Sequence, residues 1–224
     1  DTPIQVLDPM VRQTRGKARA VKEGRIWVYV RDDRPWGGKD PPGIAYYFSP
    51  DRKGEHPQGH LAEFKGVLQA DAYGGFARLY QATAPDTEPR IREAACWAHL
   101  RRDFHDIWKA TASPLAKDAL ERIGRLYDVE REITGQSAER RREARQNRSR
   151  PQVDAFRLWC ESRLTCVPTK GDLAKAMRYA LKRWNAFTLF LKDGRVAIDN
   201  NPAERAIRPI ALGRKNWLFA GSDA

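Results

Sequence analysis

Runs of β-branched and aromatic residues alternate with turn-forming residues along the first hundred positions of the chain. Short runs of this kind, bounded by Gly, Pro or Asp, are typical of β-strands. They predict five strands, at residues 3–7, 25–30, 44–49, 66–71 and 91–99. The turn-rich connection 31–43 favours an antiparallel meander for the first three. Helix-sized segments at 61–65 and 73–81 separate the later runs, which favours parallel pairing, so we expect one mixed sheet.

The pattern changes after residue 99. From there to residue 187 the apolar positions recur at helical spacing, and no convincing strand interrupts them. Three apolar stripes carry this pattern: Ala116, Ala119, Leu120, Ile123, Leu126 and Tyr127; Val153, Phe156, Trp159 and Cys160; and Leu173, Met177, Leu181 and Trp184. We predict an α/β core formed by residues 1–98 and 188–224, interrupted by a helical insertion at 99–187. A hairpin turning at Asp193-Gly194 is predicted within residues 189–198.

The charge of the chain narrows the classes of partner. In 224 residues, 41 Lys and Arg stand against 29 Asp and Glu, which gives a formal net charge of +12. A folded protein of this kind favours polyanionic partners, because each neutralised phosphate releases a counterion. A basic surface that serves only solubility is the alternative.

Hydropathy and cysteine usage bear on the compartment. No stretch approaches the roughly 18 apolar residues of a membrane helix, and the first residues lack a signal-peptide pattern. The three cysteines, at positions 96, 160 and 166, do not form a secreted disulfide framework, so a reducing cytoplasm is expected. Neither end of the chain carries the turn, cap or tail chemistry that closes a domain, and we expect a fragment of a longer protein.

An arginine-rich run lies between the first two apolar stripes. Residues 137–150 read SAERRREARQNRSR, with six Arg and two Glu. Such a run is typical of a solvated helix face or a loose linker, and contact with nucleic acid is the alternative.

Asp71 follows a predicted buried strand and precedes Ala72-Tyr73-Gly74-Gly75. Its carboxylate is therefore expected at the carboxyl end of a parallel strand, where open α/β sheets place their sites. An aspartate that only caps the following helix is an equal alternative.

Glu204 also has two interpretations. With Asn201 as N-cap and Pro202 at the first helical position, Glu204 occupies the place of a capping-box carboxylate. Four cations follow it around a short helix that we expect Pro209 to break: Arg205, Arg208, Arg214 and Lys215. A carboxylate beside such cations suits a site that binds a metal ion and phosphate together. Equally, Arg205 and Arg208 can be surface residues that form salt bridges.

Cys96-Trp97-Ala98-His99 has half of a zinc-ligand pattern, which Cys160 and Cys166 would have to complete. That alternative is weak, because thiols on an apolar helix are ordinary core residues. His99, followed by Arg101 and Arg102, is expected near the site edge of the sheet. The chain has no Gly-rich phosphate loop, nucleophile elbow or dinucleotide fingerprint, which disfavours nucleotide hydrolysis and serine chemistry.

Five ordered segments carry a more specific signal. They are TPIQVL at 2–7, IWVYVRDDRP at 26–35, LQADAY at 68–73, CWAHLRR at 96–102 and DNNPAERAIRP at 199–209. Together they resemble the bacterial insertion-sequence transposases of the IS66 type, and the likeness runs along essentially the whole chain.

This resemblance implies a ribonuclease-H-like core and an Asp-Asp-Glu triad that uses Mg²⁺ or Mn²⁺ to cleave DNA and transfer its strands. The second acid falls on Asp71 and the third on Glu204, and Cys96 and His99 match a Cys-x-x-His signature of such transposases. The family pattern for the first acid is Asp, an acidic residue and Thr. Two positions therefore stay open for it: Asp1 itself, or the residue immediately before Asp1.

The partner implied by the resemblance is double-stranded DNA, as transposon end and as target, bound by a homo-oligomer in the bacterial cytoplasm at the nucleoid. From their charge and placement we expect seven residues to contact DNA: His99, Arg101, Arg102, Arg205, Arg208, Arg214 and Lys215. The rival hypotheses are a nuclease or resolvase on the same core, and a non-catalytic DNA-binding remnant that has lost its first acid.

Overall fold

The computed structural model describes residues 1–7, 21–82, 84 and 87–213. Its first element is a three-stranded antiparallel sheet made of β1 (Thr2–Leu7), β2 (Val21–Arg31) and β3 (Gly43–Ser49), in the order β1-β2-β3. The predicted meander is confirmed.

The two faces of this sheet are covered by different elements. On one face Trp27 is buried against Phe76 of a 3₁₀ turn (Gly74–Tyr80), and its indole Nε1 donates to Ser49 Oγ at 2.7 Å. Helix α1 (Glu55–His60) lies on this face as well, since His60 stacks on Tyr47. The last described helix packs on the opposite face, where the hydroxyl of Tyr46 donates to the carbonyl of Ala206 at 2.8 Å.

A second sheet holds the parallel pair that the sequence predicts. Strand β4 (Gly66–Gln69) pairs with β5 (Ile91–Ala94), with Gly66 opposite Ile91. The expectation of one mixed sheet is wrong for the described strands, because the antiparallel and parallel pairs form two separate sheets. The protein is nevertheless a mixed α/β structure in which helices predominate.

Strand β5 is shorter than expected. The strand predicted at 91–99 ends at Ala94, and a helix begins at Trp97. The reason is visible in the burial of Trp97, Leu100 and Phe104, whose helical spacing outweighs the strand propensity of the preceding residues. His99 therefore lies in the first turn of a helix, and the prediction that it ends a strand is wrong.

The rest of the chain is helical up to residue 192, as the periodicity predicts. The elements are α2 (Trp97–Thr111), α3 (Pro114–Glu132), α4 (Ala138–Ala144), a π-helical turn (Arg145–Ser149), α5 (Arg150–Leu164), α6 (Asp172–Lys182) and α7 (Trp184–Lys192). Their core is continuous with the end of β5 at Ala94 and with Val196 and Ile198. The division into a core and an insertion at 99–187 stays a prediction.

The hairpin predicted at 189–198 is wrong. Helix α7 runs through Leu191, which is fully buried, and ends at Lys192. The Asp193-Gly194 signal marks the end of this helix, where Asp193 Oδ1 accepts a hydrogen bond from the Arg195 amide at 2.9 Å. The following residues lead to α8 (Asn201–Gly213), and the Ile198 carbonyl accepts from the amide of Trp97 at 3.1 Å.

Three smaller expectations also need correction. The helix expected at 61–65 lies earlier, at Glu55–His60, and the one expected at 73–81 is the 3₁₀ turn. Pro209 does not break α8, which continues through it to Gly213.

A buried arginine cluster ties the helical part together. We use this name for Glu130 of α3, Arg141 of α4 and Arg145 of the π-helical turn, which are all buried. Arg145 binds Glu130 in a bidentate pair, with Nε to Oε1 and Nη2 to Oε2 both at 2.7 Å. Arg141 Nη2 reaches the same carboxylate at 3.2 Å. The interpretations of the run 137–150 as a solvated helix face, a loose linker or a nucleic-acid contact do not hold for the buried Arg141 and Arg145. Arg140, Arg142 and Arg148 of the same run are exposed.

The same guanidinium groups also bind backbone carbonyls. Arg145 Nη1 donates to Phe190 O at 2.8 Å and to Val196 O at 2.9 Å. Arg141 donates from Nε to Gly194 O at 2.8 Å and from Nη1 to Pro35 O at 3.0 Å. These carbonyls belong to the last turn of α7, to the segment after it and to the loop after β2. The cluster thus supplies donors that a helix end and two irregular segments otherwise lack.

Removal of one arginine should test this role. We expect Arg145→Ala to lower the free energy of unfolding by about 3–5 kcal/mol, because Glu130 would stay buried without its main partner. Urea denaturation measures the change. Arg140→Ala, at an exposed position without a side-chain partner in the described residues, should change it by less than about 0.5 kcal/mol. A loss for Arg145→Ala no larger than that of the control would contradict the assignment.

Gly194 provides a second test. A Cβ at this position would lie 1.8 Å from the carbonyl oxygen of Ala138, a backbone atom that cannot rotate away. We expect Gly194→Ala to destabilise the protein by about 1–3 kcal/mol through overpacking. Gly124→Ala in α3 is the matched control: its Cβ would meet nothing within 4 Å, and stability should rise by about 0.4–1 kcal/mol. Thermal or urea denaturation that gave both variants the same sign would refute the packing argument.

Candidate functional site

Glu204 lies in the first turn of α8. This helix begins one residue earlier than expected, because the carbonyl of Asn200, not of Asn201, accepts the amide of Glu204 at 3.2 Å. The Asn200 amide donates to Cys96 Sγ at 3.5 Å and is therefore not bonded to the Glu204 carboxylate, as a capping box requires. The capping-box interpretation of Glu204 is wrong.

The carboxylate of Glu204 is accessible and has two polar neighbours. Its side chain is 45% exposed, and Oε1 accepts from Asn200 Nδ2 at 3.4 Å. His99 Nε2, from the first turn of α2, lies 3.8 Å from the same oxygen. The starts of α2 and α8 therefore meet at Glu204.

Asp199 fixes the turn that leads into α8. Its carboxylate is buried and accepts from Tyr127 Oη at 2.9 Å, from the Asn201 amide at 3.1 Å and from Asn201 Nδ2 at 2.8 Å. Burial, together with the charge and hydrogen bond of Asp199, raises the pKa of Tyr127. The phenol therefore stays protonated near neutral pH and keeps donating to Asp199.

The cysteines do not form a zinc site. Burial raises the pKa of the Cys96 thiol to about 11, so that the thiolate needed for metal binding is disfavoured. Cys160 is buried in the helical core and Cys166 is exposed. Within the described ranges, no three potential ligands that include a cysteine lie together. The zinc alternative is wrong for this part of the chain.

Asp71 follows β4 and lies in a turn. Its Oδ1 accepts from the amide of Tyr73 at 3.3 Å, two residues on, and the 3₁₀ helix that starts at Gly74 has no side-chain cap, so the helix-capping alternative for Asp71 is wrong. Its charge also acts across space: it adds to the effect of burial in raising the pKa of the half-buried Tyr80, and it partly offsets the lowering of the Arg183 pKa by burial. Asp71 thus combines a turn contact with long-range electrostatic contacts.

Asp1 lies at the start of β1 between two arginines. Its carboxylate is only 4% exposed and is bound by Arg52, at 3.0 Å, with Arg25 at 3.6 Å. Helix α8, which carries Glu204, packs on β1, and Gln69 Nε2 at the end of β4 donates to Ala197 O at 2.9 Å. The elements that carry Asp71 and Glu204, which are distant in the sequence, are therefore neighbours in the fold.

The donor set suits a hard cation only in part. Asp71 and Glu204 offer the carboxylate oxygens that Mg²⁺ and Mn²⁺ prefer, but the Asp1 carboxylate is already paired with Arg52. Among the described residues, the ligand atoms of Asp1, Asp71 and Glu204 do not all lie within 4.8 Å of one another. The three residues share a region without forming a preassembled cage.

A different group does meet that distance criterion. Asp51, Glu55 and His56 have ligand atoms that all lie within 4.8 Å of one another. Hydrogen bonds from the Lys53 amide and from His56 lower the pKa of Asp51 to about 2. Sequence reasoning missed this acidic cluster, whose only signal is the close spacing of the three residues before and within α1.

Four exposed cations lie on the two helices whose first turns meet at Glu204. Arg101 and Arg102 are exposed on α2, and Arg205 and Arg208 are exposed on α8. None of the four forms a salt bridge within the described residues, so the surface-salt-bridge interpretation of Arg205 and Arg208 is wrong there. Arg214 and Lys215 lie outside the described residues. In the same part of the chain, no helix is long and apolar enough to span a membrane.

Comparison with known proteins places the chain among long bacterial relatives from Sinorhizobium fredii. It is 46% identical to the uncharacterized protein y4hP over 212 residues, which cover 89% of this chain and 38% of that protein. Identity to y4qI is 44% over 200 residues, covering 88% and 37%. Identity to y4jD is 37% over 222 residues, covering 99% and 42%. The chain thus spans about two fifths of the length of these relatives.

No solved structure matches the chain. The family model described as "Transposase IS66 family" matches residues 1–224, which is the whole of this sequence. The resemblance carried by the five sequence segments is confirmed by this match. The chain belongs to the IS66 family of transposases.

Proposed function

We propose that this chain is the catalytic domain of a DDE-type DNA transposase with a ribonuclease-H-like core. In this proposal Asp71, Glu204 and an acid at the start of β1 hold divalent cations during DNA cleavage and strand transfer. The observation that carries it is that the end of β4 and the segment before α8 are joined by the hydrogen bond from Gln69 Nε2 to Ala197 O, while α8 packs on β1, so that the elements carrying the acids are neighbours despite their separation in the sequence. Family membership supports a DNA-cleaving activity in general.

The alternation of β1 bears on the first acid. Thr2, Ile4 and Val6 are buried on the face that carries α8, whereas Asp1 lies on the opposite face with Arg25. Because side chains alternate along a strand, the position before Asp1 has the orientation of Thr2 and would direct its side chain towards the α8 face. This favours the residue immediately before Asp1 as the first acid, with Asp1 as its arginine-bound neighbour.

The chemistry follows from the ligands. When bound, Mg²⁺ or Mn²⁺ would activate the attacking oxygen and stabilise the leaving oxygen. Asp71 and Glu204 would supply oxygen ligands while substrate phosphate completes the site. Water attacks the phosphorus, the bond to the 3′ oxygen breaks and a 3′-hydroxyl is released. That hydroxyl then attacks a phosphodiester of the target DNA. Its oxygen forms a new bond to the target phosphorus, and the 3′ oxygen of the target strand leaves as a 3′-hydroxyl, which gives strand transfer.

Charge supports double-stranded DNA as the partner. Arg101, Arg102, Arg205 and Arg208 are exposed and form no salt bridge in the described residues. They belong to α2 and α8, whose first turns meet at His99 and Glu204. These side chains and His99 would bind phosphates of the transposon end or target. A homo-oligomer on DNA in the bacterial cytoplasm and nucleoid belongs to the same proposal.

Glu204→Gln tests the catalytic role. The change removes a negative charge and keeps the shape of the side chain, so we expect Mn²⁺- or Mg²⁺-dependent DNA cleavage to fall by more than about 100-fold. The thermal midpoint should change little, because the capping box is absent. The assay uses the full-length protein, including the residues before Asp1, and a labelled transposon end, with strand transfer scored separately from cleavage.

Glu143→Gln on α4, at an exposed position without a described partner, is the matched control and should keep parental cleavage. If Glu204→Gln also cleaved at the parental level, the triad would be refuted. Cleavage without strand transfer in the parent would favour the nuclease alternative, and DNA binding without either would favour the non-catalytic remnant.

The cationic surface gives a quantitative prediction for DNA binding. The logarithm of the binding constant should fall steeply with the logarithm of salt concentration, and replacement of Arg101, Arg102, Arg205 or Arg208 by Ala should each reduce the slope by about 1. Fluorescence anisotropy with duplex DNA over a salt series measures this. Arg163→Ala on α5, exposed and without a described side-chain partner, should leave the slope unchanged. Equal slopes for all variants would mean that these arginines do not contact phosphates.

A further inference from the structure

Both backbone polar groups of Asn200, the residue before α8, are hydrogen-bonded. The amide of Asn200 donates to Cys96 Sγ, and its carbonyl accepts from Ala203 at 2.9 Å and Glu204 at 3.2 Å. The residue is only 9% exposed. Asn200 is therefore fixed in position between the start of α2 and the start of α8.

The side-chain amide of Asn200 is satisfied on one side only. Its Nδ2 donates to Glu204 Oε1 at 3.4 Å, whereas its Oδ1 is buried and has no hydrogen-bond partner among the described residues. An unpaired buried acceptor costs about 1–3 kcal/mol, so this arrangement does not serve stability. The side-chain amide of Asn200 is buried despite that cost, and its Nδ2 donates to Glu204. This arrangement indicates a role for Asn200 at the Glu204 carboxylate.

Asn200 is also the one side chain that hydrogen-bonds to the Glu204 carboxylate within the described residues. His99 Nε2 is 3.8 Å away, which is too far for a hydrogen bond, and His99 Nδ1 is itself buried without a partner. Without Asn200, nothing in this part of the chain would fix the rotation of a half-exposed glutamate.

The turn that carries Asn200 is rigidly supported. Asp199 receives the Tyr127 hydroxyl from α3 and two hydrogen bonds from Asn201. This places the donor of Asn200 on a support that does not depend on Glu204. Carboxylates that ligate metals are usually oriented by such outer hydrogen bonds, whose loss typically costs about 10–100-fold in metal affinity or activity.

We propose that Asn200 is a positioning residue that holds the Glu204 carboxylate in the orientation in which it meets a divalent cation. The inference rests on the proposed role of Glu204. Asn200 donates from Nδ2 to one carboxylate oxygen and leaves the other oxygen for the cation. It does not touch the reacting phosphate.

Asn200→Ser is the primary test. Serine also suits the position before a helix, so the fold is kept, but its hydroxyl is too short to reach Glu204. We expect the Mn²⁺ concentration for half-maximal cleavage to rise by about 10–100-fold. Saturating Mn²⁺ should restore most of the rate, and KM for DNA should stay constant. A residue that only supported the fold would not show rescue by metal.

Direct Mn²⁺ binding gives a readout that does not depend on turnover. Electron paramagnetic resonance of free Mn²⁺, titrated against the full-length protein on duplex DNA, should show affinity weakened by the same factor. Asn200→Ala should behave like Asn200→Ser, and it serves as the second variant if one of the two folds poorly. Asn147→Ala, exposed in the π-helical turn, should bind Mn²⁺ as the parent does.

The outcomes separate this inference from the function that it rests on. An unchanged Mn²⁺ requirement in both Asn200 variants, with Glu204→Gln inactive, would overturn the role of Asn200 and leave the triad standing. Full activity of Glu204→Gln would overturn both. A cleavage rate that stays low in the Asn200 variants at saturating Mn²⁺, with Mn²⁺ affinity intact, would also overturn the positioning role.

Discussion

Burial of an arginine requires that every donor of its guanidinium find an acceptor, and the helical part of this protein is arranged around that constraint. Arg145 meets it with the bidentate pair to Glu130 and with the carbonyls of Phe190 and Val196. Replacement of such a pair by apolar residues is often neutral, whereas loss of one partner is costly. The Arg145–Glu130 pair therefore matters more for specifying which segments pack together than for raising the free energy of unfolding above that of an apolar core.

That constraint reaches the candidate site through the segment after α7. The carbonyls held by the cluster lie just before Ile198, which binds the Trp97 amide at the start of α2, and before Asp199, which binds Tyr127. Gln69 at the end of β4 adds another link, since its side-chain amide nitrogen Nε2 donates to Ala197 O at 2.9 Å. The starts of α2 and α8 and the end of β4 are thereby held in one region, and His99, Glu204 and Asp71 come from these places.

Sequence reasoning succeeded where one physical signal dominated. The strand around Trp27 and the helical stripes around Ile123 and Met177 follow from periodicity, because their burial requires it. The prediction failed at 91–99 and 189–198, where β-branched or turn residues lie beside a helix whose packing outweighs them. Arg145 was out of reach, because a buried arginine and a solvated one look the same in a charged run until the partner from α3 is known.

The candidate site, like the fold, could be predicted from the sequence only in part. Asp71 and Glu204 stand out in the sequence through strand-end and helix-start positions, and in the described residues they do not complete a metal cage. The role of Asn200 could not be predicted, because an asparagine before a helix is explained equally well by capping. What distinguishes it is an unpaired buried oxygen, which only coordinates reveal. The Asp51, Glu55 and His56 group was missed because exposed acids beside a short helix are common.

The carbonyls that satisfy Arg141 and Arg145 also set an order of events during synthesis. Both arginines leave the ribosome well before Phe190, Gly194 and Val196, while Pro35 and Glu130 precede them. Until residue 196 has emerged, the two guanidinium groups can bind Glu130 and Pro35 but still lack carbonyl acceptors from the segment 190–196, so the donors that bind those carbonyls must stay hydrated. The helical part therefore completes its interior late in translation. In a chain that ends before residue 196, guanidinium donors of the buried arginine cluster would lack carbonyl partners and would be exposed to the quality-control machinery of the cell.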